Sequence, residues 1–137
     1  MTIKDFFKND QYAALSGIEL LTVEQGSAKA RMEIREIHLN TVKTVQGGAI
    51  FTLADYTFAA AVNAYGNLAM SIETSIRYFK AVGSGVLFAE AQVLHLHKRI
   101  ATFEVRVTNE KDELIAIFTA TAYRKDVPLQ FSDDARI

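Results

Sequence analysis

Residues 47–65, GGAIFTLADYTFAAAVNAY, leave no polar face broad enough to meet water when wound as a helix. Ile50, Phe51, Leu53, Phe58 and Val62 spread around the wheel with alanines between them, so such a helix is buried nearly all round. At about 19 residues it is roughly 28 Å long. A sheet that covers a helix of that length has to curl around it. Thr52, Asp55, Thr57 and Asn63 interrupt the stretch, which makes it a marginal membrane span and a good central core helix.

The rest of the chain supplies the sheet. Residues 5–15 place Phe6, Phe7, Tyr12 and Leu15 at loose helical spacing, and Gly17 stops the pattern, which predicts one short leading helix. Ile18, Leu20, Leu21 and Val23 lead into Gln25-Gly26-Ser27, after which Ala28, Ala30, Met32 and Ile34 alternate with charged residues, the pattern of a β-hairpin. Residues 36–46 are polar and irregular. After the helix, residues 68–81, 86–97, 102–109 and 114–125 read as strands joined by turns too short for parallel crossovers. The expected fold is therefore α+β, a curled antiparallel sheet wrapped around one long central helix. The 137 residues, half of them hydrophobic, suit one domain spanning 1–137. The tail, 128–137, is polar and expected to be loosely held.

Composition removes several function classes. A net charge of −1 leaves no electrostatic footprint for duplex nucleic acid or anionic membranes. Without cysteine there is no disulfide, no thiolate nucleophile and no sulfur-ligated metal. His95 and His97, two apart on an expected strand, share a face, but no third ligand follows at useful spacing, so no metal site is expected. The chain shows no phosphate-binding glycine loop and no nucleophile elbow. The first eleven residues mix charges with Ile3, Phe6 and Phe7 and lack the apolar core of a secretory signal. A cytoplasmic protein is the expectation.

One residue stands out inside the helix. Asp55 lies between Phe51 and Phe58, where a carboxylate neither caps the helix nor gains from its dipole, and burying an unpaired charge costs several kcal/mol. Either a strand Arg or Lys, or an interface hydrogen bond, holds it, or it is a catalytic base or nucleophile with a tuned pKa. Gly47 and Gly48 leave the first-turn amides open to a ligand oxygen, with the helix dipole favouring negative charge there. Eight residues separate Gly47 from Asp55, about 12 Å along the axis. That is too far for both to touch one carbonyl carbon, so if both act, two chains supply them.

His38-Leu39-Asn40, Gln46-Gly47-Gly48, Leu53-Ala54-Asp55, Ser71-Ile72-Glu73 and Arg77-Tyr78-Phe79-Lys80 together resemble the hot-dog-fold acyl-CoA thioesterases of the phenylacetate-degradation (PaaI) type. The resemblance covers nearly the whole chain. It implies hydrolysis of an acyl-CoA to a free acid and coenzyme A, with no separate cofactor, at sites shared between subunits of a homodimer, often paired into a tetramer as a dimer of dimers. It makes Asp55 the catalytic carboxylate, as general base or nucleophile. Gly47 becomes the N–H donor to the thioester oxygen, and Asn40 a contact to the thioester or the attacking water. Ser71 matches a small hydroxyl that some members keep near the carboxylate, while Lys80, Lys98 and Arg99 would meet the nucleotide phosphates.

Two positions depart from the pattern. Members commonly carry His before the glycine pair and Gly three residues after Asn, where this chain has Gln46 and Lys43. Gln can exchange hydrogen bonds but cannot shuttle a proton near neutral pH. A non-catalytic acyl-CoA binder is thus an alternative. A hot-dog hydratase fits less well, because it needs a catalytic His and none lies on the helix near Asp55. The helix aromatics Phe51, Tyr56 and Phe58, from one or both chains, are expected to line the acyl pocket.

Overall fold

The apolar stretch forms a helix, α3 (Gly47–Asn63), that ends two residues before the pattern does. A computed structural model describes residues 1–131. Ahead of α3 come α1 (Ile3–Phe7), α2 (Gln11–Leu15), β1 (Ile18–Glu24), β2 (Ser27–Glu33) and a single 3₁₀ turn at Glu36–His38. After it come β3 (Asn67–Tyr78), β4 (Val86–Leu96), β5 (Ile100–Thr108) and β6 (Leu114–Pro128). The six strands form one antiparallel sheet in the order β1-β2-β4-β5-β6-β3. Every strand touches α3, so the sheet curls around the helix as expected.

Alternation decides which residues face α3. Ala28 and Ala30 of β2, Leu87, Ala89 and Ala91 of β4, Phe103, Val105 and Val107 of β5, and Phe118 and Ala120 of β6 are all buried. The alanines let the helix come close to the sheet, and Phe103 and Phe118 fill the wider side. Phe58 packs edge-on to Phe103 at 5.5 Å between ring centroids, and Phe51 to Phe118 at 5.3 Å. These aromatic contacts close the core.

Three details differ from the sequence pattern. The leading helix is two helices, because the Asp10 side chain accepts the Ala13 N–H at 3.0 Å and starts a second one there. The tail is anchored as far as it is described: Leu129 donates to the Gly66 carbonyl at 2.7 Å, and the Phe131 ring meets Phe6 at 5.6 Å. The expectation for residues 132–137 lies outside the described residues. Finally, α3 is not buried all round. Gly48, Thr52, Asp55 and Ala59, spaced at four, three and four residues, form a partly open stripe on one face. A six-stranded sheet with two short helices leaves that flank of the helix uncovered.

Candidate active site

Side chains approach both glycines at the start of α3 closely. The Tyr78 hydroxyl donates to the Gly47 carbonyl at 2.9 Å, and a Cβ on Gly47 would lie 3.0 Å from that oxygen and 3.1 Å from the ring. Burial pushes the Tyr78 hydroxyl pKa up. On Gly48 a Cβ would meet the Gln46 side-chain oxygen at 2.6 Å. Gln46 is the N-cap: its Oε1 accepts the Gly48 N–H at 3.2 Å. The Gly47 N–H has no acceptor among the described residues, so a first-turn donor stays open for a ligand.

The loop leading into α3 is organised by Asn40. Its Oδ1 accepts the backbone N–H of Val42 at 3.0 Å and of Thr44 at 3.1 Å, and its Nδ2 donates to Thr44 Oγ1 at 3.0 Å. The side chain that the resemblance assigns to the substrate thus holds its own loop in this structure. Lys43, where members commonly carry Gly, has φ 65, in the left-handed region that glycine enters without strain. Beneath the loop His38 is buried; its Nδ1 accepts the Arg35 N–H at 2.9 Å, so its proton sits on Nε2, 2.8 Å from the Ser16 carbonyl. Asn40 and Gln46 line one cavity, of about 430 Å³. Gly47 lines another, of about 310 Å³, with Tyr78 and Lys80.

Asp55 stands two helical turns beyond Gly47 on the partly open stripe. It makes no hydrogen bond or ion pair among the described residues, so no strand Arg or Lys within them neutralises it. Burial first, and the charge of Asp10 second, hold its carboxyl above the usual aspartate value. Asp10 was not apparent as a site residue from the sequence. Its role in capping α2 is local, but its nearness to Asp55 comes from tertiary packing that no spacing encodes. Tyr78 falls within the motif Arg77-Tyr78-Phe79-Lys80, yet its hold on Gly47 likewise appears only in three dimensions.

The remaining expected residues are scattered. Tyr78 meets Gly47 at one end of α3, and Asn63 binds the Ala69 N–H at 2.9 Å at the other, so β3 runs antiparallel along the helix. Ser71 is exposed on β3, in register with Ala122 and toward the Asn63 end. Lys80 is paired with Glu113 just past one end of β3, and Arg99 with Asp126 at 2.7 Å near the other end. A 12-residue strand spans about 40 Å, so within one chain Lys80 does not share a phosphate with Lys98 or Arg99. Of the helix aromatics, Phe58 is in the closed core and Phe51 packs on Phe118, whereas Tyr56, its hydroxyl donating to the Phe7 carbonyl at 3.2 Å, lines a cavity of about 350 Å³ with Phe7, Asp10, Ala13 and Leu20. Burial and the Asp10 charge push Tyr56 up to about 12. His95 and His97 do share a face, their Nε2 atoms 2.5 Å apart, and no group of three possible metal ligands occurs among the described residues.

Residues 43–116 match the sequence profile of the thioesterase superfamily. The chain belongs to that superfamily. A protein of Archaeoglobus fulgidus named "Putative esterase" is 41% identical over 124 residues, 89% of this chain and 80% of its own. The acyl-coenzyme A thioesterase PaaI of Escherichia coli is 29% identical over 119 residues, 86% of this chain and 85% of its own. The solved structure of that E. coli PaaI protein superposes with a TM-score of 0.88, covering 92% of each chain at 27% identity. A mutant of the phenylacetic acid degradation protein PaaI from Thermus thermophilus gives 0.81 at 34% identity, over 85% of this chain and all of its own. The fold is the hot-dog fold, one long helix wrapped by a curled antiparallel sheet. No helix of the described residues is long and apolar enough to cross a membrane.

Proposed function

We propose that this thioesterase-superfamily enzyme hydrolyses an acyl-CoA to a free acid and coenzyme A, using the Gly47 N–H of one chain and the Asp55 carboxylate of a second copy. The observation that carries this reading is Asp55: a half-buried carboxyl with a raised pKa and no partner among the described residues, on the uncovered stripe of the central helix. A group of that kind is a better base than an ordinary aspartate and has no structural work to do inside its own chain. As general base it takes a proton from water while the hydroxyl adds to the thioester carbon. As nucleophile it forms a mixed anhydride, which water then opens. Either way the carbonyl oxygen gains negative charge, the Gly47 N–H and the α3 dipole stabilise it, and collapse expels the thiolate, which takes up the proton.

The open edge supports a shared site. β3 ends the sheet with Met70, Ile72 and Tyr78 exposed and Phe79 exposed just past it, an edge that a second copy can cover. At the opposite edge β1 contacts α1 and α2, and Lys4 donates to the Leu21 carbonyl at 2.7 Å. Two β3 strands paired antiparallel set Lys80 of one copy beside the Arg99 end of the other, which lets Lys80, Lys98 and Arg99 serve one nucleotide. A pair of such dimers makes the tetramer. The reaction needs no bound cofactor.

One observation favours a second reading, a binder that has lost turnover: Gln46 spends its side-chain oxygen on capping α3 and carries no titratable proton. Thiol release from short, medium, long and aromatic acyl-CoAs, with wild type beside Asp55→Asn, separates the two. An enzyme loses about 10²- to 10⁴-fold in kcat in the variant while still binding acyl-CoA. If wild type binds acyl-CoA and releases no thiol, the binder reading stands.

A further inference from the structure

A thioester held by its carbonyl oxygen at the start of α3 must send its acyl arm one way and its pantetheine arm another. Two grooves flank that point. The first lies between α2, the 3₁₀ turn and the first turn of α3, with Tyr12, Leu15, Ile37, Leu39 and Ala49 as its apolar walls and a volume of about 430 Å³. The second, about 310 Å³, passes Gly47 beside Val45, Tyr78 and Lys80. We infer that the first groove is the acyl subsite, so that residues of α2 and the 3₁₀ turn, not the aromatics of α3, set which acyl group is accepted. This rests on the thioesterase reading above.

Three observations point the same way. Among the aromatics of α3, Phe58 is buried and Phe51 is stacked on Phe118, while Tyr56 lines a separate cavity with Lys4, Lys8, Asp10 and Glu19, charged side chains that suit an apolar acyl arm poorly. Charge then divides the two grooves. Among the described residues the first is lined by no Asp, Glu, Lys or Arg, and its buried His38 is tied down through both ring nitrogens, whereas the second carries Lys80. The arm that ends in phosphates belongs with the lysine, and the uncharged arm with the apolar walls. Exposure is the third: Tyr12, Leu15 and Ile37 are 66%, 70% and 65% exposed around the groove. They offer apolar surface that an acyl group would cover, in a groove that also holds Asn40 and Gln46 beside the α3 N-terminus.

The test fills the groove. Leu15→Trp and Ile37→Trp replace exposed side chains, and melting curves with sedimentation check that fold and assembly are kept. The quantity read is kcat/KM for decanoyl-CoA divided by that for acetyl-CoA. It should fall by about tenfold or more in both variants, because the larger acyl group loses its space, and should hold in Val42→Trp, on the neighbouring loop outside the groove. If wild type turns over acyl-CoAs and the ratio is the same in all four proteins, the acyl arm lies elsewhere and the inference fails. If the tryptophans change the sedimentation instead, the surface is a contact between copies and the inference fails too. If wild type releases no thiol, the catalytic reading fails by itself. The groove is then tested by the affinity of decanoyl-CoA relative to coenzyme A, which the same two substitutions should lower about tenfold if the subsite is real.

Discussion

Asp55 costs the fold stability when it is charged. Its folded-state pKa is raised above the ordinary aspartate value of 3.8, burial being the larger cause and Asp10 the smaller. The unfolded chain therefore releases this proton at lower pH than the folded one does. Above the folded pKa the penalty is present in full, and as pH falls it disappears, being gone below the unfolded value. Asp55→Asn should thus raise Tm at neutral pH and lose that advantage as the buffer is taken down to about pH 3.5. Melting curves of both proteins across that range measure it, and a variant less stable than wild type at pH 7 would contradict it. The same electrostatics reach the activity: Asp10→Asn removes the second cause and should move the acid limb of the kcat/KM profile to lower pH. Asp55 could be found from sequence because a carboxylate amid Phe51, Leu53 and Phe58 violates a local rule. Asp10 could not, since a capping aspartate violates none.

At the scale of elements, the start of α3 is held by a strand more than thirty residues away in sequence. Tyr78 of β3 comes within 3.0 Å of where a Cβ on Gly47 would stand, and its hydroxyl donates to the Gly47 carbonyl at 2.9 Å. Gly47→Ala must push the tyrosine aside and should cost about 1–3 kcal/mol, while Tyr78→Phe, which deletes the hydroxyl alone, should cost about 0.5–1.5 kcal/mol. In a Tyr78→Ala background the Gly47→Ala penalty should nearly vanish, and a double-mutant cycle by urea unfolding reads that coupling. An undiminished penalty would place the glycine's role in the backbone and not in the tyrosine's approach. Elements were legible where period and length agreed: an apolar stretch of helical length gave α3, and strict alternation gave β5 and β6. The two leading helices read as one in the sequence because Phe6, Phe7, Tyr12 and Leu15 keep a loose period across Asp10, whose cap breaks the backbone there. Asn40 is subtler. Its residue type suits a substrate contact as well as an Asx-type loop, and only the distances to Val42 and Thr44 show the loop.

Over the whole molecule, the expectation of a sheet wrapped around α3 followed from one helix with no polar face, and it holds. Strand order did not follow, because alternation states which residues face the core and not which strands are neighbours. Nor did the uncovered stripe of Gly48, Thr52, Asp55 and Ala59, since two of these four, Gly48 and Ala59, are as small as the alanines that do face the sheet. The stripe and the open β3 edge together make the separation along α3 consequential. Gly47 and Asp55 are eight residues apart on one rigid helix, so a single chain cannot bring both to one carbonyl carbon. In the two-fold pair proposed above, each site would take its Gly47 from one copy and its Asp55 from the other. Complementation then follows from arithmetic. Asp55→Ala and Gly47→Val should each be inactive alone. When the two are unfolded together and reassembled, half of the dimers are mixed, and each mixed dimer has one site with both native residues and one with neither. Thiol release should recover to about a quarter of the wild-type rate. A site contained in one chain predicts no recovery at any mixing ratio, and that result would remove the shared-site proposal while leaving the superfamily assignment untouched.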